Sequence, residues 1–148
     1  ANLPVSKTVV QTKTLSTNSI SKGSHIIVAE KGHYSNGSAL IIVEASGSLK
    51  HHSLVLAVST SFNSNEKTIT CLSNAAYATQ LFSKASVETV WAANSHKVYL
   101  TLNTDVLNSA NDSVTLTITV ISSAWSSCAK LLPSSETADS DKLITLKA

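Results

Sequence analysis

The sequence predicts an all-β protein, an antiparallel β-sandwich or barrel that associates with further copies of its chain. Three observations carry that expectation. Short runs rich in Val, Ile, Leu and Thr recur between Ser, Asn and Gly clusters, at about the 8–12-residue spacing of sandwiches and barrels. Some runs alternate apolar and hydroxyl residues, whereas others are apolar on both faces. The 148 residues can build one core but not two.

Strands are expected at 7–15, 24–30, 38–46, 52–60, 67–73, 77–83, 86–92, 96–103 and 113–122. Turns fall at Thr17-Asn18-Ser19, from Lys31 to Gly37, at Ser46-Gly47-Ser48 and from Asn63 to Glu66, with a longer loop from Thr104 to Asp112. Ala75 to Phe82 could form a short helix instead. After Trp125 the alternation breaks at Ser126-Ser127-Cys128. Residues 1–133 are therefore read as the sandwich, with 1–6 entering from an upstream stem, and 134–148 as a solvated linker with a terminal strand near Leu143–Leu146. The chain begins at Ala1 and contains no Met, so it reads as a processed or excised piece of a longer protein.

The two kinds of strand point to assembly. In 113–122, Val114, Leu116, Ile118 and Val120 share one face while Thr115, Thr117 and Thr119 share the other, the pattern of a sheet with one dry and one wet side. Segments 26–29, 39–43 and 54–58 are apolar on both sides. A two-layer sandwich covers one face of each sheet, so these strands call for a second cover. A further copy of the chain supplies it, with Ile27, Ile42 and Leu56 expected at the subunit interface.

Composition excludes several roles. Charged residues make up 14% of the chain, against the usual quarter, while 26 Ser and 16 Thr supply hydroxyls. All eleven basic residues are scattered Lys, and Arg, the preferred reader of guanine edges and phosphates, is absent, which argues against nucleic acid. No apolar run approaches the ~18 residues of a membrane span, so this piece is not expected to insert into a membrane. Catalysis is not expected either. There is no Gly-x-Ser-x-Gly elbow, and the one close acidic pair, Asp139 and Asp141, lies in the tail. No cofactor is implied, and no metal site. His51 and His52 are adjacent and so point to opposite faces of a strand, although one of them could form a ring of three imidazoles in a trimer. Cys71 and Cys128 lack metal-type spacing and read as packed thiols, a disulfide between them remaining open.

The best binding candidate is the loop carrying His33, Tyr34, Ser35 and Asn36 between Gly32 and Gly37. A tyrosine offers a flat apolar face with a polar tip, suited to sugars and protein surfaces. Trp91 and Trp125 could stack on sugar but fit better as core or interface anchors. Asn36-Gly37-Ser38 and Asn111-Asp112-Ser113 match the glycosylation pattern weakly.

Three features over residues 7–123 resemble one family: the Gly32-His33-Tyr34 to Leu40-Ile41-Ile42-Val43 unit, the Lys97–Leu102 strand and the Val114–Val120 strand. Together they are similar to the trimeric C-terminal heads of bacteriophage tail fibres, tailspikes and tail needles, which resemble tumour-necrosis-factor and viral-knob jelly rolls. The resemblance implies a homotrimer at the tip of a fibre on the virion, contacting a host-cell surface glycan or protein. It transfers no individual binding residue. A secreted, extracellular lectin-like module, a tumour-necrosis-factor or complement-like ligand and a small capsid jelly roll are the alternative readings.

Overall fold

In a computed structural model, residues 9–32, 37–47, 50–60, 67–78, 80–90, 95–132 and 142–146 are described. Their strands are β1 (Val9–Thr17), β2 (His25–Gly32), β3 (Gly37–Gly47), β4 (Lys50–Thr60), β5 (Lys67–Ala78), β6 (Phe82–Val90), β7 (Ser95–Leu102), β8 (Val114–Ser122), β9 (Ser126–Leu132) and β10 (Lys142–Thr145). They form two five-stranded antiparallel sheets, ordered β1-β8-β3-β4-β5 and β10-β6-β7-β2-β9. This is an all-β sandwich. The pair β2–β7 nests inside β1–β8, which gives the jelly-roll-like path, and β3-β4-β5 then run as a meander within the first sheet. On one side β9 lies against β1 and β8, and on the other β10 and β6 lie against β5.

Strict alternation fixes which residues go inside. Ile41 and Val43 of β3, Leu54 and Leu56 of β4, and Leu116, Ile118 and Val120 of β8 are essentially inaccessible, at 0–1% exposure. They meet Ile26, Ala85, Val87, Val98 and Leu100 of the second sheet in one continuous core.

Three expectations need correcting. The stretch Ala75–Phe82 is not helical: β5 continues to Ala78, paired with β4 along its whole length. Its alanines favour helix by propensity, but cross-strand pairing decides the outcome. Leu72 is the extra residue that slips the register there, so the strand expected at 67–73 runs on to Ala78, and the one expected at 77–83 is divided between β5 and β6. Next, Ser126–Leu132, where the broken alternation predicts no strand, forms the edge strand β9, with Ser127 buried and Ala129 and Leu131 packed on the core. Small inward residues and an irregular register at Cys128–Ala129 hide its period of two. Lastly, segment 26–29 is apolar on both sides because β2 is irregular at Val28, which places Val28 and Ala29 both in the core. Ile27 is then the one outer apolar residue, and at 2% exposure this chain already covers it. Neither Ile27 nor the inward Leu56 can therefore offer an exposed contact to a second subunit. Near the C-terminus, Lys142–Thr145 form β10, which pairs with β6 of its own chain.

Candidate functional site

The strand ends bracketing residues 33–36, 61–66 and 91–94 all lie at one end of the sandwich, because Gly32 pairs with Ser95, Ser95 with Val90, Gly37 with Thr60, and Thr60 with Lys67. His33, Tyr34, Ser35 and Asn36, the expected binding residues, lie outside the described residues, as does Trp91. What is described is a base at this end of the sandwich, formed by Gly37, Ser122 and Trp125. Trp125 is 2% exposed, and its Nε1 donates to the Gly37 carbonyl at 3.3 Å. Ser122 closes the β8–β9 turn: its Oγ donates to the Ser38 carbonyl at 2.7 Å and accepts the backbone N–H groups of Ala124 and Trp125 at 3.0 and 2.9 Å. Gly37 is required by this approach, since a Cβ there would stand 2.6 Å from Ala124 Cβ and 3.1 Å from Lys31 Cε.

Charge enters the same base. Lys31 is buried, with Nζ 5.9 Å from the centre of the Trp125 ring, within cation–π range. Burial pushes the Lys31 ammonium below its ordinary pKa. His96, fully buried, tilts against the same indole with ring centres 6.3 Å apart. Trp125 is thus a core anchor rather than an exposed sugar platform. The sequence hid Lys31 because the irregularity at Val28 switches which residues of β2 face inward.

The two outer faces of the sandwich differ. On the first sheet, cross-strand registers line up Thr12, Thr119, Ile42, Val55 and Ser73 in one row, and Val10, Ile121, Leu40, Ala57 and Thr70 in the next. Leu40, Ile42, Val55, Ala57 and Ile121 are half-exposed, and Val10 is 63% exposed. Hydroxyls frame this patch and bond across strands: Thr12 with Thr119 at 3.2 Å, Ser16 with Thr115 at 3.1 Å and Ser38 with Ser59 at 2.8 Å. Among the described residues Glu44, in a further row beside Thr117 and Ser53, is the one Asp, Glu or Lys of this outer face.

On the second sheet, one outer row runs Glu88, Lys97, Glu30 and Ser126, and a neighbouring row Ser86, Tyr99, Ile27 and Lys130. Opposite charges directly paired across strands add about 0.2–1 kcal/mol each. Tyr99 is 5% exposed at the centre, with His25 edge-on at 6.3 Å. Burial, and then the Glu88 charge, push the Tyr99 phenol up to about 12. His25 bonds to Thr101 Oγ1 at 3.1 Å and is pushed below its usual pKa by burial and by Lys84.

Other candidates separate. His51 is exposed on the first sheet's outer face, edge-on to Tyr77 at 5.7 Å, whereas His52 is buried. Stepping back by twos from Leu54, Leu56 and Val58 would have placed His52 inside. Cys71 and Cys128 are unpaired, on edge strands of different sheets. Burial first, and Glu30 second, push the Cys128 thiol up, which makes it a poor nucleophile. Among the described residues no group of three or more His, Cys, Asp or Glu could hold a metal ion, and no helix is long and apolar enough to cross a membrane.

No family model matches the chain, and no curated protein matches it. Two solved structures are similar in part. The tailspike protein of Acinetobacter baumannii phage AM24 aligns with a TM-score of 0.49 and 8% identity, over 95% of this chain and 29% of that one. The tailspike protein of Acinetobacter phage vB_ApiP_P1 aligns with a TM-score of 0.44 and 13% identity, over 78% of this chain and 22% of that one. This chain thus spans less than a third of either tailspike's length.

Proposed function

We propose that this chain is the distal head of a phage tail fibre, tailspike or tail needle, a threefold knob that binds a host-cell surface glycan or protein during attachment or penetration. One observation carries the reading. The first sheet's outer face sets Leu40, Ile42, Val55, Ala57 and Ile121 side by side among hydroxyls, with Glu44 as its one acidic or Lys residue among the described residues. An apolar centre depleted of charge is the composition of a subunit contact. The sequence resemblance to trimeric phage heads supplies the threefold arrangement, and a trimer would hold the upstream fibre strands in register. Of the residues first expected at the interface, Ile42 is the one that stands on this face.

The proposed work is binding rather than turnover. Three copies on one axis convert weak single contacts into avidity. His33, Tyr34, Ser35 and Asn36 are the proposed contacts, in the segment that joins Gly32 to Gly37. The division into a 1–133 knob and a 134–148 tail belongs to the same proposal.

Sedimentation velocity tests it. The wild type is expected to run as a trimer at micromolar concentration, and Ile42→Asp as a folded monomer. A monomeric wild type, or a folded Ile42→Asp of unchanged mass, would overturn the reading.

A further inference from the structure

The opposite end of the sandwich is held by a polar network centred on His52. The ring is 1% exposed, between its cross-strand partners Ala45 and Ala76. Its Nδ1 accepts the backbone N–H of Phe82 at 3.2 Å, where the chain enters the second sheet. A backbone N–H can only donate, so Nδ1 carries no proton. Nε2 therefore carries the hydrogen and donates it to Asn74 Oδ1. The Phe82 ring lies against the imidazole with centres 5.4 Å apart.

From Phe82 the network runs to the C-terminal segment. Gln80 Nε2 donates to the Phe82 carbonyl at 2.6 Å and to the Leu146 carbonyl at 2.8 Å. Asn103 fixes the same crossover through the Gln80 and Leu81 carbonyls, at 3.1 and 2.7 Å. The Leu146 N–H donates to the Ser83 carbonyl at 2.8 Å, just beyond β10.

We infer that His52 is an acid-sensitive latch: a proton added at Nδ1 sets donor against donor at Phe82, frees the β5–β6 crossover and loosens β10 from the β6 edge. No charge described on the packed elements offsets that proton. Glu44 of β3, His51 of β4, Tyr77 of β5 and Lys84 of β6 are exposed on outer faces, while Lys67, Glu88 and Lys142 pair toward the opposite end. Burial holds the His52 pKa below its ordinary value, outweighing the Asn74 bond that raises it. The unfolded or opened ring therefore binds the proton more readily than the closed one. The latch is fully closed above the ordinary histidine pKa of ~6.5 and weakens as pH falls below it.

Hydrogen exchange on the full chain, corrected for intrinsic rates, reads this directly. Protection at the Phe82 and Leu146 amides is expected to fall by up to about tenfold per pH unit below ~6.5, the limit for one linked proton. His52→Asn keeps an acceptor near the Nδ1 position without titrating, and it should abolish the extra response. No fall in protection at Phe82 and Leu146 in the wild type, or an undiminished fall in His52→Asn, overturns the latch. Nitrogen NMR of the wild-type ring decides independently of that variant's folding. A neutral Nε2–H tautomer at pH 7 is expected, and an Nδ1–H tautomer or an imidazolium at that pH overturns it.

Discussion

The two sheets share a core yet present opposite exteriors. The first sheet turns outward an apolar patch framed by threonines and serines, with a single carboxylate in its described outer rows. The second turns outward Lys84, Glu88, Lys97, Glu30 and Lys130 around a central tyrosine. Charges that alternate in sign satisfy one another across neighbouring strands and need no partner molecule. Half-exposed aliphatic side chains gain nothing from water and are stabilised by burial at about 25 cal/mol per Å². The contrast teaches that low overall charge in this chain is a property of one face, and that this is the face suited to permanent contact.

The sharpest way to break that comparison uses neighbours on β3. Ile41 is 0% exposed and Ile42 half-exposed, although they are adjacent in sequence. Ile41→Asp buries an unpaired charge, costing several kcal/mol, and should abolish the β-type circular dichroism that Ile42→Asp retains. If both variants fold, the face assignment fails. On the other face, Tyr99→Ala should lower stability in urea by about 2–3 kcal/mol without changing mass, and a change in mass would move the interface to that sheet. The phenol itself should stay protonated until about pH 12, read by its ultraviolet absorbance. Because folding favours the neutral phenol, this contribution is complete below the unfolded pKa of ~10 and is lost as pH climbs above it.

Smaller effects come from packing and from hydroxyls. Gly37→Ala forces a Cβ toward Ala124 and Lys31, at about 1–3 kcal/mol, and chemical denaturation measures it. Thr12→Ala removes one exposed cross-strand bond to Thr119 and should cost only about 0.2–1 kcal/mol. A larger loss there would mean that the hydroxyl ladder contributes more than a wet surface should.

Much of this contrast is legible in the sequence. The alternation in 113–122 gave both faces of β8, and the doubly apolar β3 and β4 pointed to an exterior patch at Ile42. What stayed hidden has local physical causes. An irregularity at one residue of β2 put Lys31 inside and made 26–29 look two-sided. Small inward residues disguised β9, and helix-favouring alanines obscured the far end of β5. Periodicity assigns a side chain to a face only while the register is unbroken. The base at that end of the sandwich depends on Gly37, Ser122 and Trp125, which are far apart in sequence and carry no shared motif.

The nested pairing also governs time. Val9 lies opposite Ser122, so the first sheet cannot close until nearly the whole chain has been made and gathered. Pairings of such long sequence separation place all-β domains among slow folders, on the order of milliseconds to seconds. Stopped-flow refolding followed by tryptophan fluorescence should show a phase in that range. The outermost pair that slows assembly must also come apart before the roll can open, which favours an unfolding rate low enough for the native form to outlast long intervals without resynthesis.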